Sequence, residues 1–190
     1  MTPYPMAGED LLRPLARLMD EEAVAALEAR QVGANELPEP SQHLLVHGGD
    51  MTSRLMAFHE ARLRVAALAS QHDDSSDTYS RKVTLVTIPY GLPVEYGAIT
   101  IHLRHLNRPD WPGIREKILA QRDPLGALLT EYRVPFVSEP RAYISLRANQ
   151  EIAEALHAEP GDRMYARRNV LRLSGGPQIA DIVEIVRRRG

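Results

Sequence analysis

The chain has 190 residues, a formal charge of −2 and 44% hydrophobic residues, a balance that suits one sizeable core. It offers no basic field of the kind that holds nucleic acid, and the closing Arg187-Arg188-Arg189 is too short to supply one, so no nucleic-acid partner is expected. Cysteine is absent, which excludes disulfides, thiolate nucleophiles and zinc–thiolate or iron–sulfur sites; Glu9, Asp10 and Arg13 break the N-terminal apolar pattern, so no signal peptide or membrane span is expected and the chain reads as cytoplasmic.

Residues 9–30 carry leucine and alanine at helical spacing, with Pro14 marking a start or a kink, and predict two short helices. Turn chemistry follows over 33–41, then a short apolar helical segment, Gln42 to Val46, closed by Gly48-Gly49-Asp50. Met51-Thr52-Ser53-Arg54-Leu55 opens a further element that Asp50 or Thr52 can cap. The pattern then turns to strands at 61–69, 79–88 and 94–103, the last two joined as a hairpin through Pro89-Tyr90-Gly91-Leu92-Pro93, with Gln71 to Asp77 read as a mobile, solvated loop. Helices are predicted over 111–120 and 124–132, the second with Pro124 in its first turn, then a strand over 141–146 and a helix over 149–157. Strands over 164–173 and 178–186 flank Ser174-Gly175-Gly176-Pro177, which is hairpin chemistry and not a phosphate-binding loop. The expected fold is α+β, an antiparallel sheet with helices packed against it, as a helical extension over 1–40 and a main domain over 41–190.

Arg81 is the first residue whose place demands an explanation. A period of two sets it on the strand face of Val83 and Leu85, and a guanidinium there is tolerable only if something anionic meets it, such as a carboxylate ligand. Glu184 is the second, in a final strand that is apolar on both sides. Protonated, it can donate to an oxygen leaving group; ionised, it can accept from a hydroxyl. The alternative is an internal Arg81–Glu184 salt bridge with structural meaning only. Glu95 shares a face with Gly97, Ile99, Ile101 and Leu103, and is either a second inward carboxylate or a strand-end charge in water; Asp181 is a weaker candidate of the same kind. His43 and His47 are four apart, but no third ligand has a recognisable position, so no metal is expected. Arg163, Arg167, Arg168 and Arg172 are read as a solvated or partly stacked sheet face.

Four stretches resemble the chorismate pyruvate-lyase family, which shares a UTRA-like fold: Leu44-Leu45-Val46 into Asp50-Met51-Thr52-Ser53-Arg54-Leu55; Tyr79-Ser80-Arg81-Lys82-Val83-Thr84-Leu85; Asp123-Pro124-Leu125-Gly126; and Arg167-Arg168 through Leu171-Arg172-Leu173-Ser174-Gly175-Gly176 to Glu184. The resemblance implies a lyase that releases pyruvate and 4-hydroxybenzoate from chorismate or a relative, driven by aromatisation and needing neither metal nor organic cofactor. It implies that Arg81 and the backbone amides of Met51 and Leu125 bind a substrate carboxylate, that Glu184 faces the departing oxygen, and that the Met51 and Leu125 segments act as flaps. Where many members carry a further arginine, this chain has Glu95, which would select a cationic or hydroxylated group. The stretch 148–156, followed by Pro160-Gly161-Asp162, also resembles the effector-binding domains of a transcription-regulator class on the same fold, which bind small molecules without turning them over.

Overall fold

The computed structural model describes residues 8–187; Arg188 and Arg189 of the closing run lie outside the described residues. Three short helices come first, α1 (Gly8–Leu11), α2 (Arg13–Ala16) and α3 (Glu21–Ala25), where two were expected. Pro14 sits in the first turn of α2, where its missing N–H has no intrahelical partner to lose, and Asp20 caps α3 by accepting from Ala23 N at 2.7 Å. A strand the sequence did not announce follows, β1 (Arg30–Val32), too short to show a period.

Next come α4 (Ser41–Leu45) and α5 (Met51–His59), with Asp50 capping α5 by accepting from Ser53 N at 2.8 Å. The long strands β2 (Arg62–Asp73), β3 (Thr78–Ile88) and β4 (Pro93–His102) form a meander. The loop expected over 71–77 is shortened to a turn over 74–77: β2 runs on to Asp73, whose carboxylate accepts from Ser75 N at 2.9 Å and from the Ser76 hydroxyl at 2.7 Å, closing the turn locally. Then follow α6 (Ile114–Leu119), α7 (Leu125–Glu131), β5 (Phe136–Arg147), α8 (Gln150–Leu156), β6 (Arg163–Leu173) and β7 (Gln178–Val186), with Asn149 capping α8.

The seven strands form one antiparallel sheet in the order β1-β5-β6-β7-β4-β3-β2. Helices cover both of its faces. On the back, Leu11, Leu12, Leu15 and Leu27 of the N-terminal segment, with Ile152 and Leu156 of α8, pack on Tyr96, Ala98, Ile144, Val183 and Ile185. The front carries two apolar clusters: one joins α6 and α7 to Tyr79, Ile99, Leu171 and Ile182, and the other joins α4 and α5 to Val65, Val83, Leu85 and Val186.

Coverage on both sides corrects the reading of the arginines in β6. Successive residues of a strand point to opposite faces, and here neither face meets water, so Arg167 and Arg168 are both buried, one in front and one behind. Arg168 is paired with Asp181, which places that weaker candidate on the back face and away from the other acidic residues. On the same back face Lys82 reaches Glu151 at 2.8 Å, and Tyr96 donates to Glu151 at 2.7 Å, which ties α8 to the sheet.

Candidate functional site

A cavity of about 60 Å³ lies on the front face at the seam between the two apolar clusters. Register builds its floor in rows. Arg81 of β3 stands opposite Ile99 of β4, which stands opposite Ile182 of β7 and then Asn169 of β6. The next row is Val83, Gly97, Glu184 and Arg167, and the one after it is Leu85, Glu95, Val186 and Tyr165. Rows on one face are two residues apart, about 7 Å along the strands. Gly97 leaves the middle row open: a Cβ there would lie 3.0 Å from Glu95 Oε1 and 3.7 Å from Val83 Cγ2, so the Glu95 side chain lies back over the glycine, towards Glu184.

The roof is made by the starts of α5 and α7. Met51, Thr52 and Asp50 line it from one side, and Pro124, Leu125 and Gly126 from the other. The two meet closely, since a Cβ on Gly126 would sit 2.9 Å from Asp50 Oδ1 and 3.2 Å from Thr52 Oγ1. Asp50 caps α5, whereas no side chain caps α7.

Every residue named from the sequence as a ligand contact lines this one cavity: Arg81, Glu184, Glu95, Met51 and Leu125. Arg81 is 2% exposed; its Nη2 donates to Asp123 O at 3.1 Å, while Nε and Nη1 have no partner. Burial pushes its pKa down, opposed by Tyr79 and Asp123. The Arg81–Glu184 salt bridge does not form, because Glu184 accepts from Arg167 Nε instead.

Arg167 is the residue that sequence reasoning missed. It is fully buried, and beyond Glu184 it donates from Nη1 to His47 O at 3.1 Å and from Nη2 to Gly49 O at 3.4 Å, fastening the segment that leads into α5. The signal lay in the odd-numbered face of β6, where Leu171 and Leu173 follow Arg167 and Asn169 at period two. His47 packs against the same guanidinium, and burial, with Arg167 and Arg54 beside it, lowers its pKa to about 4.

Glu95 reaches no solvent at the strand end: it is 5% exposed and its Oε2 has no partner. Burial, and then the nearby Glu184, raise its pKa well above the ordinary carboxylate value, with Arg167 pulling the other way. His43 and His47 do not share a helix, since α4 ends at Leu45, and among the described residues no group of three or more His, Asp or Glu is arranged to hold a metal ion. No described helix is long and apolar enough to cross a membrane.

No protein-family model and no curated protein sequence matches the chain. Solved structures do. The effector domain of PhnF from Mycobacterium smegmatis is similar with a TM-score of 0.54 at 15% identity, covering 73% of this chain and 88% of that one. The longer PhnF chain matches with a TM-score of 0.53 at 14% identity over 75% of this chain, which spans 65% of PhnF's length. The possible transcriptional regulator YydK from Bacillus subtilis matches with a TM-score of 0.50 at 11% identity, covering 67% of this chain and 60% of that one. At such identities the likeness carries the fold, an α+β domain of the UTRA-like kind, and not the lyase chemistry.

Proposed function

We propose that this domain binds a small anionic molecule in the front cavity, as an effector-type module that need not turn its ligand over. One observation carries the reading: Arg81, buried in the cavity wall, holds two donors that find no acceptor among the described residues. Leaving a buried charge uncompensated costs on the order of 3–5 kcal/mol, so an incoming carboxylate or phosphate that takes the fork relieves a strain the fold otherwise carries. Met51 and Leu125 stand at the first turns of α5 and α7 over the cavity, and Val83, Leu85, Ile99, Leu171 and Ile182 supply apolar walls. The space present is about 60 Å³, so a ligand with a ring needs the cavity to widen beneath α5 and α7.

The solved neighbours include an effector domain, which favours binding over catalysis. The lyase reading keeps one observation of its own, the placement of Glu184 one row from Arg81 in the same cavity. A thermal-shift screen of small carboxylates and sugar phosphates, with chorismate included, separates the two. At a hundredfold excess over its Kd the ligand adds about 2.7 kcal/mol of stability, and Arg81→Gln abolishes the gain. The reading is overturned if no anion stabilises the protein, or if Arg81→Gln responds as the wild type does. Pyruvate released from chorismate, and lost in both Arg81→Gln and Glu184→Gln, would make the domain a lyase.

A further inference from the structure

The anion-binding reading leaves Glu95 unexplained. Two carboxyl groups, Glu95 and Glu184, lie together in the middle of the cavity floor, and the one cation within reach, Arg167, is already held by Glu184. A carboxyl buried without a cation or donor of its own is far more stable with its proton on. Glu95 then carries an O–H that finds no acceptor in the protein, since Oε2 is buried and unpartnered. It lines the same cavity as the free donors of Arg81, with the apolar Val83 and Ile99 between them.

We propose that Glu95 serves as an uncharged hydrogen-bond donor and sets the ligand class: a small monoanion with a hydroxyl or carbonyl oxygen at the end away from its acid group, in preference to a dianion or a zwitterion. The proposal rests on the anion-binding reading and adds the far end of the ligand to it. The charges around the site agree. Arg81 keeps two unmet donors, with Asp123 near enough to favour its charge, Arg167 and Glu184 cancel, His47 is neutral at pH 7, and Asp50 is turned to cap α5. Tyr143, beside Arg167, is held in its neutral form by burial. One negative charge on the ligand meets the free donors of Arg81, and a second would face Glu184 with no cation left to meet it. A cationic end would have to strip the proton from Glu95.

Calorimetric binding of benzoate, 4-hydroxybenzoate, terephthalate and 4-(aminomethyl)benzoate to the full chain tests this. The expected order puts 4-hydroxybenzoate about tenfold tighter than benzoate and the other two weaker still. The hydroxyl preference survives in Glu95→Gln, which keeps an uncharged donor, and disappears in Glu95→Ala. Tightest binding by terephthalate or by the aminomethyl compound, or a preference that persists in Glu95→Ala, overturns the assignment of Glu95 and leaves the anion site standing. Failure of all four acids to bind overturns it too, and the anion site is then decided by Arg81→Gln in the wider screen. A second readout needs no ligand: in the carbon-13 spectrum of side-chain-labelled glutamate, the signal missing from Glu95→Gln stays in its protonated position at pH 7. A signal that titrates in the ordinary carboxylate range overturns the proposal.

Discussion

Burial makes a few single groups answer for the state of the whole site. His47 shows it most plainly, because its ring sits against the Arg167 guanidinium and its pKa is lowered to about 4. The unfolded chain takes up the histidine proton near pH 6.5, before the folded chain does. The stability this neutral ring contributes is therefore complete above about pH 6.5 and is lost as the pH falls towards about 4. The expected outcome is that the gap in urea midpoint between wild type and His47→Gln narrows steadily on going from pH 7.5 to 4.5; a gap that stays constant contradicts it. Arg81, Glu184 and Glu95 were legible as inward charges because a strand's period of two ties each to apolar neighbours on its own face. Arg167 was not, because three other arginines close to it in sequence suggested a wet face, and only knowledge that helices lie on both sides removes that option.

Among the elements, the two short helices over the cavity are held by unequal means. Asp50 caps α5 and also presses on α7 at Gly126. Alanine at that position would gain up to about 1 kcal/mol of helix propensity, less in a first turn. Against this, its Cβ must displace the capping carboxylate, and losing a cap costs about 1 kcal/mol, with overpacking adding about 1–3 kcal/mol. The sum favours loss, so Gly126→Ala should be destabilised by about 1–4 kcal/mol in thermal denaturation. Stabilisation would mean that Asp50 yields without cost. Most helices and six of the seven described strands could be placed from periodicity and capping residues. The strand β1 could not, since three residues carry no period and its existence depends on β5 arriving beside it. Nor could the length of β2, whose polar end is extended by pairing with β3.

Taken as a whole, the molecule is one sheet with a helix-packed back and a divided front. The N-terminal helices belong to the back layer: Leu15 and Leu27 are fully buried among residues of β4, β5 and β7. Truncating Leu15 to alanine removes a packed side chain from that layer and should cost about 2–5 kcal/mol, read as a lower denaturant midpoint with a single transition retained. Two separate transitions would show instead that the N-terminal helices unfold on their own.

The pairing of β2 with β3 is irregular at one place, and this matters outside the cavity. β2 forms one border of the sheet, with a row of backbone N–H and C=O groups that no neighbouring strand takes up. A long, flat border of that sort invites a second chain to add a strand and so begin an aggregate. The register slips between Ala67 and Ala69, which twists the border midway, and Arg62 and Arg64 stand exposed along it. At the other border, β1 covers only part of β5, and the stretch left open carries Pro140 and a second slip of register between Pro140 and Ala142. Each open margin is thus interrupted where a straight strand would otherwise template its own polymerisation.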